Sequence, residues 1–281
     1  MAKKKTSSRL SAKELRDQKS MLCDGLSFAA AEAYKLLRTN LQFSLPEKGC
    51  RIFGVTSSVR GEGKSTTSVN LAYTFGQSGK RVLLIDADMR LPSVSSKLSI
   101  PGKPGLSNLL AGLNEEKDCL QVSKYMENWY ILPAGDIPPN PSELLGSERM
   151  RSFLERYSDL FDVIVIDLPP VTVVTDALVV SPWTDGLIIA VRQNYTERKA
   201  LNACMYQVNK LGAKFLGFVM TDAAVGESSY KRYGKYGHSY GYGYGYGYDY
   251  AGSRPSGKND KAFREAAAES APAVGSHSKS E

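Results

Sequence analysis

The chain has 281 residues, 42% of them hydrophobic, enough to bury the core of one or two domains and too apolar for a disordered protein. Its formal net charge of +7 sits at the ends: residues 1–19 hold seven basic and two acidic side chains and residues 230–281 hold eight and five, leaving 21 against 22 between them. A near-neutral body argues against nucleic-acid binding, and the basic ends read as solvated tails or as arms steered toward acidic membranes or partners.

Cys23, Cys50, Cys119 and Cys204 lack paired spacing, which excludes a disulfide framework and a zinc site and fits a reducing cytoplasm. His238 and His277 both lie near the C-terminus, so no histidine serves as base or ligand in the body. The basic N-terminus lacks the apolar stretch of a signal peptide. No run reaches the roughly 18 apolar residues of a membrane span, since 161–180 is interrupted by Asp162, Asp167, Pro169, Pro170 and Asp176.

In chain order, residues 1–26 form a polar, basic arm. Residues 27–43 have helical periodicity, with Phe28, Ala33, Leu36, Leu37 and Leu41 on one face and Glu32, Lys35 and Arg38 on a second, charged face. That charged face reads either as solvated helix surface or as a contact surface. An apolar strand over 51–56 runs into a glycine-containing loop, followed by a helix over 65–77. Further strands are expected at 81–85, 129–132, 161–166, 186–191 and 215–220, and helices at 105–112, 141–157 and 196–211. Near-continuous apolar strands alternating with helices give an α/β fold, a mainly parallel β-sheet with helices on both faces. After about residue 224 the composition changes. Nine of the sixteen tyrosines fall between Tyr230 and Tyr250, glycine takes every other position from 241 to 247, and the tail to 281 reads as disordered.

The loop after the first strand ends in Gly61-Glu62-Gly63-Lys64-Ser65-Thr66. Glycines let backbone N–H groups approach phosphates, the following helix adds its N-terminal dipole, Lys64 neutralises phosphate oxygens and Ser65 can hold Mg²⁺. Ser58 stands where the usual pattern has its first glycine. Asp86 and Asp88 follow the second strand, and Asp167 ends the 161–166 strand. Thr56, Asp86 and Asp167 thus fall at carboxyl ends of strands, where such sheets bind ligands. The bland alternative for a strand-end aspartate is a helix cap. Arg90 touches phosphate or pairs with an acid; the sequence does not choose.

Apolar-Asp86-x-Asp88-x-Arg90 after Ser57-Ser58-x-x-Gly61-Glu62-Gly63-Lys64-Ser65-Thr66, then apolar-Asp167-x-Pro169, resembles the P-loop bacterial tyrosine kinases of capsule and exopolysaccharide systems. So do Pro138-Pro139-Asn140-Pro141-Ser142-Glu143 and the terminal tyrosine cluster, so that the resemblance spans about residues 27–250. Each motif alone is shared with partitioning and cell-division-site ATPases of the deviant-Walker class. The resemblance implies a P-loop NTPase fold with deviant Walker motifs and a cytoplasmic catalytic subunit held at the membrane by a separate transmembrane, co-polymerase-like activator. It also implies assembly into a homo-oligomeric ring through Glu32, Lys35 and Arg38, and a cognate tyrosine phosphatase as a further partner. Three positions depart from the family pattern: Lys35 replaces the first arginine of the interface motif, Arg60 replaces a loop proline, and Thr221 stands where many relatives have an adenine-contacting asparagine.

The expected chemistry places Mg²⁺·ATP on Arg60, Gly61, Glu62, Gly63, Lys64, Ser65 and Thr66, with Ser65, Asp88 and Asp167 holding the metal. Asp86 orients or deprotonates a tyrosine hydroxyl that attacks the γ-phosphoryl group. Candidate acceptors are Tyr230, Tyr233, Tyr236, Tyr240, Tyr242, Tyr244, Tyr246, Tyr248 and Tyr250. Two rival readings are an ATPase switch using the same site and a non-enzymatic adhesive Tyr/Gly arm.

Overall fold

The computed structural model describes Met21 and residues 25–44 and 49–223. The tyrosine cluster and the rest of the tail lie outside the described residues, as do residues 1–20. The helices are α1 (Phe28–Ser44), α2 (Lys64–Gln77), α3 (Val94–Leu98), α4 (Leu106–Leu110), α5 (Glu116–Cys119), α6 (Pro141–Leu145), α7 (Glu148–Ser158), α8 (Asp176–Val180) and α9 (Arg198–Lys210). The strands are β1 (Arg51–Ser57), β2 (Val82–Asp86), β3 (Gln121–Val122), β4 (Trp129–Leu132), β5 (Val163–Asp167), β6 (Gly186–Arg192) and β7 (Phe215–Thr221). They form one sheet in the order β3-β4-β2-β5-β1-β6-β7, parallel throughout except for the short edge strand β3.

Side-chain alternation along the strands decides where the polar residues go. Val82 and Leu84 of β2, Val163 and Val165 of β5, and Phe53 and Val55 of β1 pack with Val69, Leu71 and Phe75 of α2. The intervening Leu83, Ile85, Ile164 and Ile166 pack on the opposite face with Met150, Phe153 and Leu154 of α7 and Cys204 and Val208 of α9. Counting on by two, Asp86 and Asp167 share the face that carries α2. The register sets Val55 beside Asp167 and Asp167 beside Asp86 across three neighbouring strands. A slip of one residue would turn an aspartate to the other face.

The expected 141–157 helix is two helices. Its first part stops at Leu145, and Ser147 restarts the chain as an N-cap whose hydroxyl accepts from the Met150 amide at 3.3 Å. On α1 the expected apolar face is displaced. Leu41 is buried and Leu37 packs on the domain, but Phe28 and Leu36 are exposed and Ala33 faces outward. Tyr34 and Arg38 join Leu37 and Leu41 on the inner stripe. Burial, first, and hydrogen bonding to Asn70 and Thr67 of α2 shift the Tyr34 phenol, with a net rise. The short helices α3, α5 and α8 and strand β3 carry too few residues for periodicity to reveal them.

Candidate nucleotide site

Lys64 begins α2 directly after Gly63, which sits at φ +88°, and Gly61 precedes it at φ +83°. No side chain caps the helix, so its first-turn N–H groups are open to an anion. Ser65 is buried, Thr66 is half-buried and Arg60 is exposed. The Glu62 side chain turns inward, beneath the loop whose backbone it belongs to. Fully buried, its carboxylate accepts from Ser58 Oγ at 2.8 and 3.0 Å, from the Val59 amide at 2.8 Å, and from Thr196 Oγ1. Ser58, at the missing-glycine position, and Thr196, 134 residues beyond its partner Glu62, therefore hold the loop's shape. Thr221 also turns to the loop: its hydroxyl donates to the Glu62 carbonyl at 2.7 Å.

Three oxygens surround the Lys64 ammonium: Asp88 Oδ2 at 2.7 Å, Ser65 Oγ at 3.2 Å and Asp167 Oδ2 at 3.5 Å. Burial works against the Lys64 charge, but Asp167, Asp88 and Asp86 outweigh it and raise its pKa. Burial raises the Asp167 pKa despite Lys64 and the Ser65 and Ser68 hydroxyls; Ser68 donates to Oδ1 at 3.0 Å. Oδ2 of Asp167 is buried without a hydrogen-bond partner. That oxygen, which faces Lys64 at 3.5 Å without a hydrogen bond, the Asp88 carboxylate and the Ser65 hydroxyl are hard donors of the kind Mg²⁺ takes. No three His, Cys, Asp or Glu side chains form a metal cage among the described residues. A Mg²⁺ ion held by these few protein oxygens would complete its shell with phosphate and water oxygens, as is usual for it.

Asp86 is fully buried and caps a helix, as the bland alternative had it. One oxygen accepts from the Ser93 and Val94 amides at the start of α3, at 3.1 and 3.0 Å, and the other from the Asp88 amide at 3.2 Å. Burial, reinforced by the Asp167 charge, pushes its pKa up to about 7. Arg90 pairs with an acid. Its guanidinium grips Asp176 of α8 at 3.0 and 3.2 Å and reaches Ser142 of α6 at 3.1 Å; the Ser142 hydroxyl also donates to Asp176 at 2.6 Å. The Arg90–Asp176–Ser142 triad thereby ties the proline-rich segment to the Asp86–Arg90 loop.

The expected interface trio divides. Glu32 and Lys35 are exposed and pair with each other at 2.7 Å, whereas Arg38 donates to the Thr74 carbonyl at the end of α2 at 2.8 Å. Arg38 is engaged within the domain, where it satisfies a helix-terminal carbonyl.

A parallel sheet whose first strand feeds a glycine-bounded phosphate loop, with carboxylates at the ends of two neighbouring strands, defines a P-loop nucleotide-binding protein. A family model described as an AAA domain matches residues 50–216. The tyrosine-protein kinase YwqD of Bacillus subtilis is 34% identical over 209 residues, 74% of this chain and 86% of that protein. The tyrosine-protein kinase wzc of Salmonella typhi is 33% identical over 214 residues, 75% of this chain but 29% of that longer protein. The solved kinase domain of the Escherichia coli tyrosine kinase ETK superposes with a TM-score of 0.65 at 31% identity, covering 76% of this chain and 80% of that one. The chain belongs to the P-loop bacterial tyrosine kinases. Family membership favours the kinase over the ATPase-switch reading that the phosphate loop left open.

Proposed function

We propose that the protein is an ATP-dependent tyrosine autokinase that phosphorylates the Tyr230–Tyr250 cluster of another copy, in support of capsule or exopolysaccharide synthesis and export. One observation carries this reading. The Lys64 ammonium, at an uncapped helix start, is ringed by the oxygens of Ser65 on α2 and of Asp88 and Asp167 at or just beyond the carboxyl ends of β2 and β5. Backbone N–H groups of 60–66 and Lys64 would hold the phosphates, and Ser65, Asp88 and Asp167 would hold Mg²⁺. When bound, the ion neutralises charge developing on the phosphate oxygens. Asp86 orients the incoming phenol. The new bond joins the tyrosine oxygen to the γ-phosphorus, the bond to the β,γ-bridging oxygen breaks, and the phenolic proton leaves through Asp86 or water. A phenol has a pKa of about 10, so positioning contributes more than proton removal.

The exposed Glu32, Lys35, Phe28 and Leu36 of α1 support its use as a contact between copies in a ring. A membrane-spanning activator is supported by the wzc relative, most of whose length lies outside the match. No helix among the described residues is long and apolar enough to cross a membrane, which suits a cytoplasmic protein held at the membrane by that activator. Several phosphates on the tail would make it acidic and oppose docking, and a cognate phosphatase would restore it.

The test is intact mass and released phosphate after incubation of the concentrated chain with Mg²⁺ and ATP, with and without an activator, beside Lys64→Ala. A ladder of phosphates mapping to 230–250 and lost in the variant is expected. Phosphate release with no ladder in either condition would establish the ATPase switch instead.

A further inference from the structure

The phosphate loop is held from outside by three side chains that its motif does not contain. Tyr195 Oη donates to the Arg60 carbonyl at 3.1 Å, Arg192 Nη1 to the Gly61 carbonyl at 3.3 Å, and Thr221 Oγ1 to the Glu62 carbonyl at 2.7 Å. Three consecutive carbonyls are thus gripped by residues at or just beyond the ends of β6 and β7. The C=O and N–H of a planar trans peptide point in opposite directions. Fixing the carbonyls of 60, 61 and 62 on one side therefore aims the N–H groups of Gly61, Glu62 and Gly63 to the other, as an anion-binding nest requires.

The fit is close. A methyl group on Gly61 would come within 3.2 Å of Tyr195 Oη, and one on Gly63 within 3.1 Å of Thr221. The grip is itself fixed. Arg192 pairs with Asp222 at 2.9 Å and lies over the Tyr195 ring, 5.2 Å from its centre, and its amide donates to Thr196 Oγ1 at 2.8 Å. Thr196 in turn reaches the buried Glu62 carboxylate. We propose that Arg192, Tyr195 and Thr221 are positioning residues for the nucleotide phosphates, acting through the peptide groups of residues 60–63. The proposal rests on the nucleotide-binding reading of the loop.

The test measures Mg²⁺·ATP affinity by calorimetry, together with the unfolding midpoint with and without Mg²⁺·ATP. The wild type is compared with Thr221→Val, Thr221→Ser, Tyr195→Phe and the Thr221→Val/Tyr195→Phe double variant. One hydrogen bond of ordinary strength predicts a loss in affinity of about two- to tenfold for each of Thr221→Val and Tyr195→Phe, compounding in the double variant. The ligand-free midpoint should hold, the rise on adding ATP should shrink, and Thr221→Ser should restore wild-type affinity. Because Tyr195 is half exposed, Tyr195→Phe tests the idea even if Thr221→Val does not fold. Variants that bind as tightly as the wild type overturn the brace alone, as does affinity lost only in step with the ligand-free midpoint. A wild-type chain that does not bind Mg²⁺·ATP overturns the nucleotide-site reading and the brace together.

Discussion

Helices α1 and α2 lie against each other but are held in opposite ways. Ten of the fourteen α2 residues are buried, and its start is fixed by the phosphate loop, whereas α1 buries Leu41 alone and leaves Phe28 80% and Leu36 62% exposed. The contrast teaches where each helix gets its stability. An α2 residue is determined by the sheet beneath it. α1 rests on one stripe, Tyr34, Leu37, Arg38 and Leu41, and the apolar surface it leaves open is available to another molecule.

Lys64→Ala should produce the largest effect, lowering tyrosine phosphorylation by about a thousandfold, on the scale of losing a principal electrostatic contact in the transition state. Quantitative phosphotyrosine blotting with catalytic amounts of a wild-type partner excluded would measure it. Glu62→Ala sharpens the contrast without touching the ammonium. It strands the Ser58, Thr196 and Val59 donors, and should cost about 3 kcal/mol, or roughly 6–12 °C in Tm for a domain of this size.

The Asp86 carboxyl gives a pH signature on the α2 side. Its folded pKa, pushed up to about 7, lies above the unfolded value, so the folded chain holds the extra proton between the two. The ligand-free protein is therefore favoured at acid pH and loses this contribution as pH rises toward 7. Asp86→Asn should flatten that slope in denaturant titrations relative to wild type; an unchanged slope would assign it elsewhere. The smallest effect on the folded chain is expected on α1. Phe28→Ser with Leu36→Ser should change stability by less than about 0.5 kcal/mol, as for exposed positions. It should nevertheless lower self-association in sedimentation and slow phosphorylation between copies. A fall in Tm of several degrees would mean that α1 is as much part of the core as α2.

The sequence disclosed the frame of the site more fully than its supports. The runs before Thr56, Asp86 and Asp167 are apolar without interruption because those strands are covered on both faces, and the aspartates that end two of them are conspicuous for that reason. The bonds that fix the site join distant parts of the chain: Glu62 to Thr196, Arg90 to Asp176 and Ser142, Thr221 to the loop. No local spacing announces them. The α1 face was misjudged because Tyr34 and Arg38 count as polar in a periodicity, yet both reach inward along apolar stems. Only a break at Gly146-Ser147 hinted that 141–157 is two helices.

The Lys64–Asp88 ion pair has a consequence for which anions the loop will accept. Asp88 acts as a resident stand-in for a phosphate oxygen, and a visitor must outcompete a partner that is always at hand. A small anion that takes Lys64 leaves a nearly buried carboxylate without its counter-charge, at a cost of several kcal/mol. A polyphosphate that carries its own divalent cation would offer Asp88 a replacement as it removed the old one. The Lys64–Asp88 pair is therefore expected to favour a charge-balanced polyphosphate–cation pair over chloride, sulfate or metal-free nucleotide.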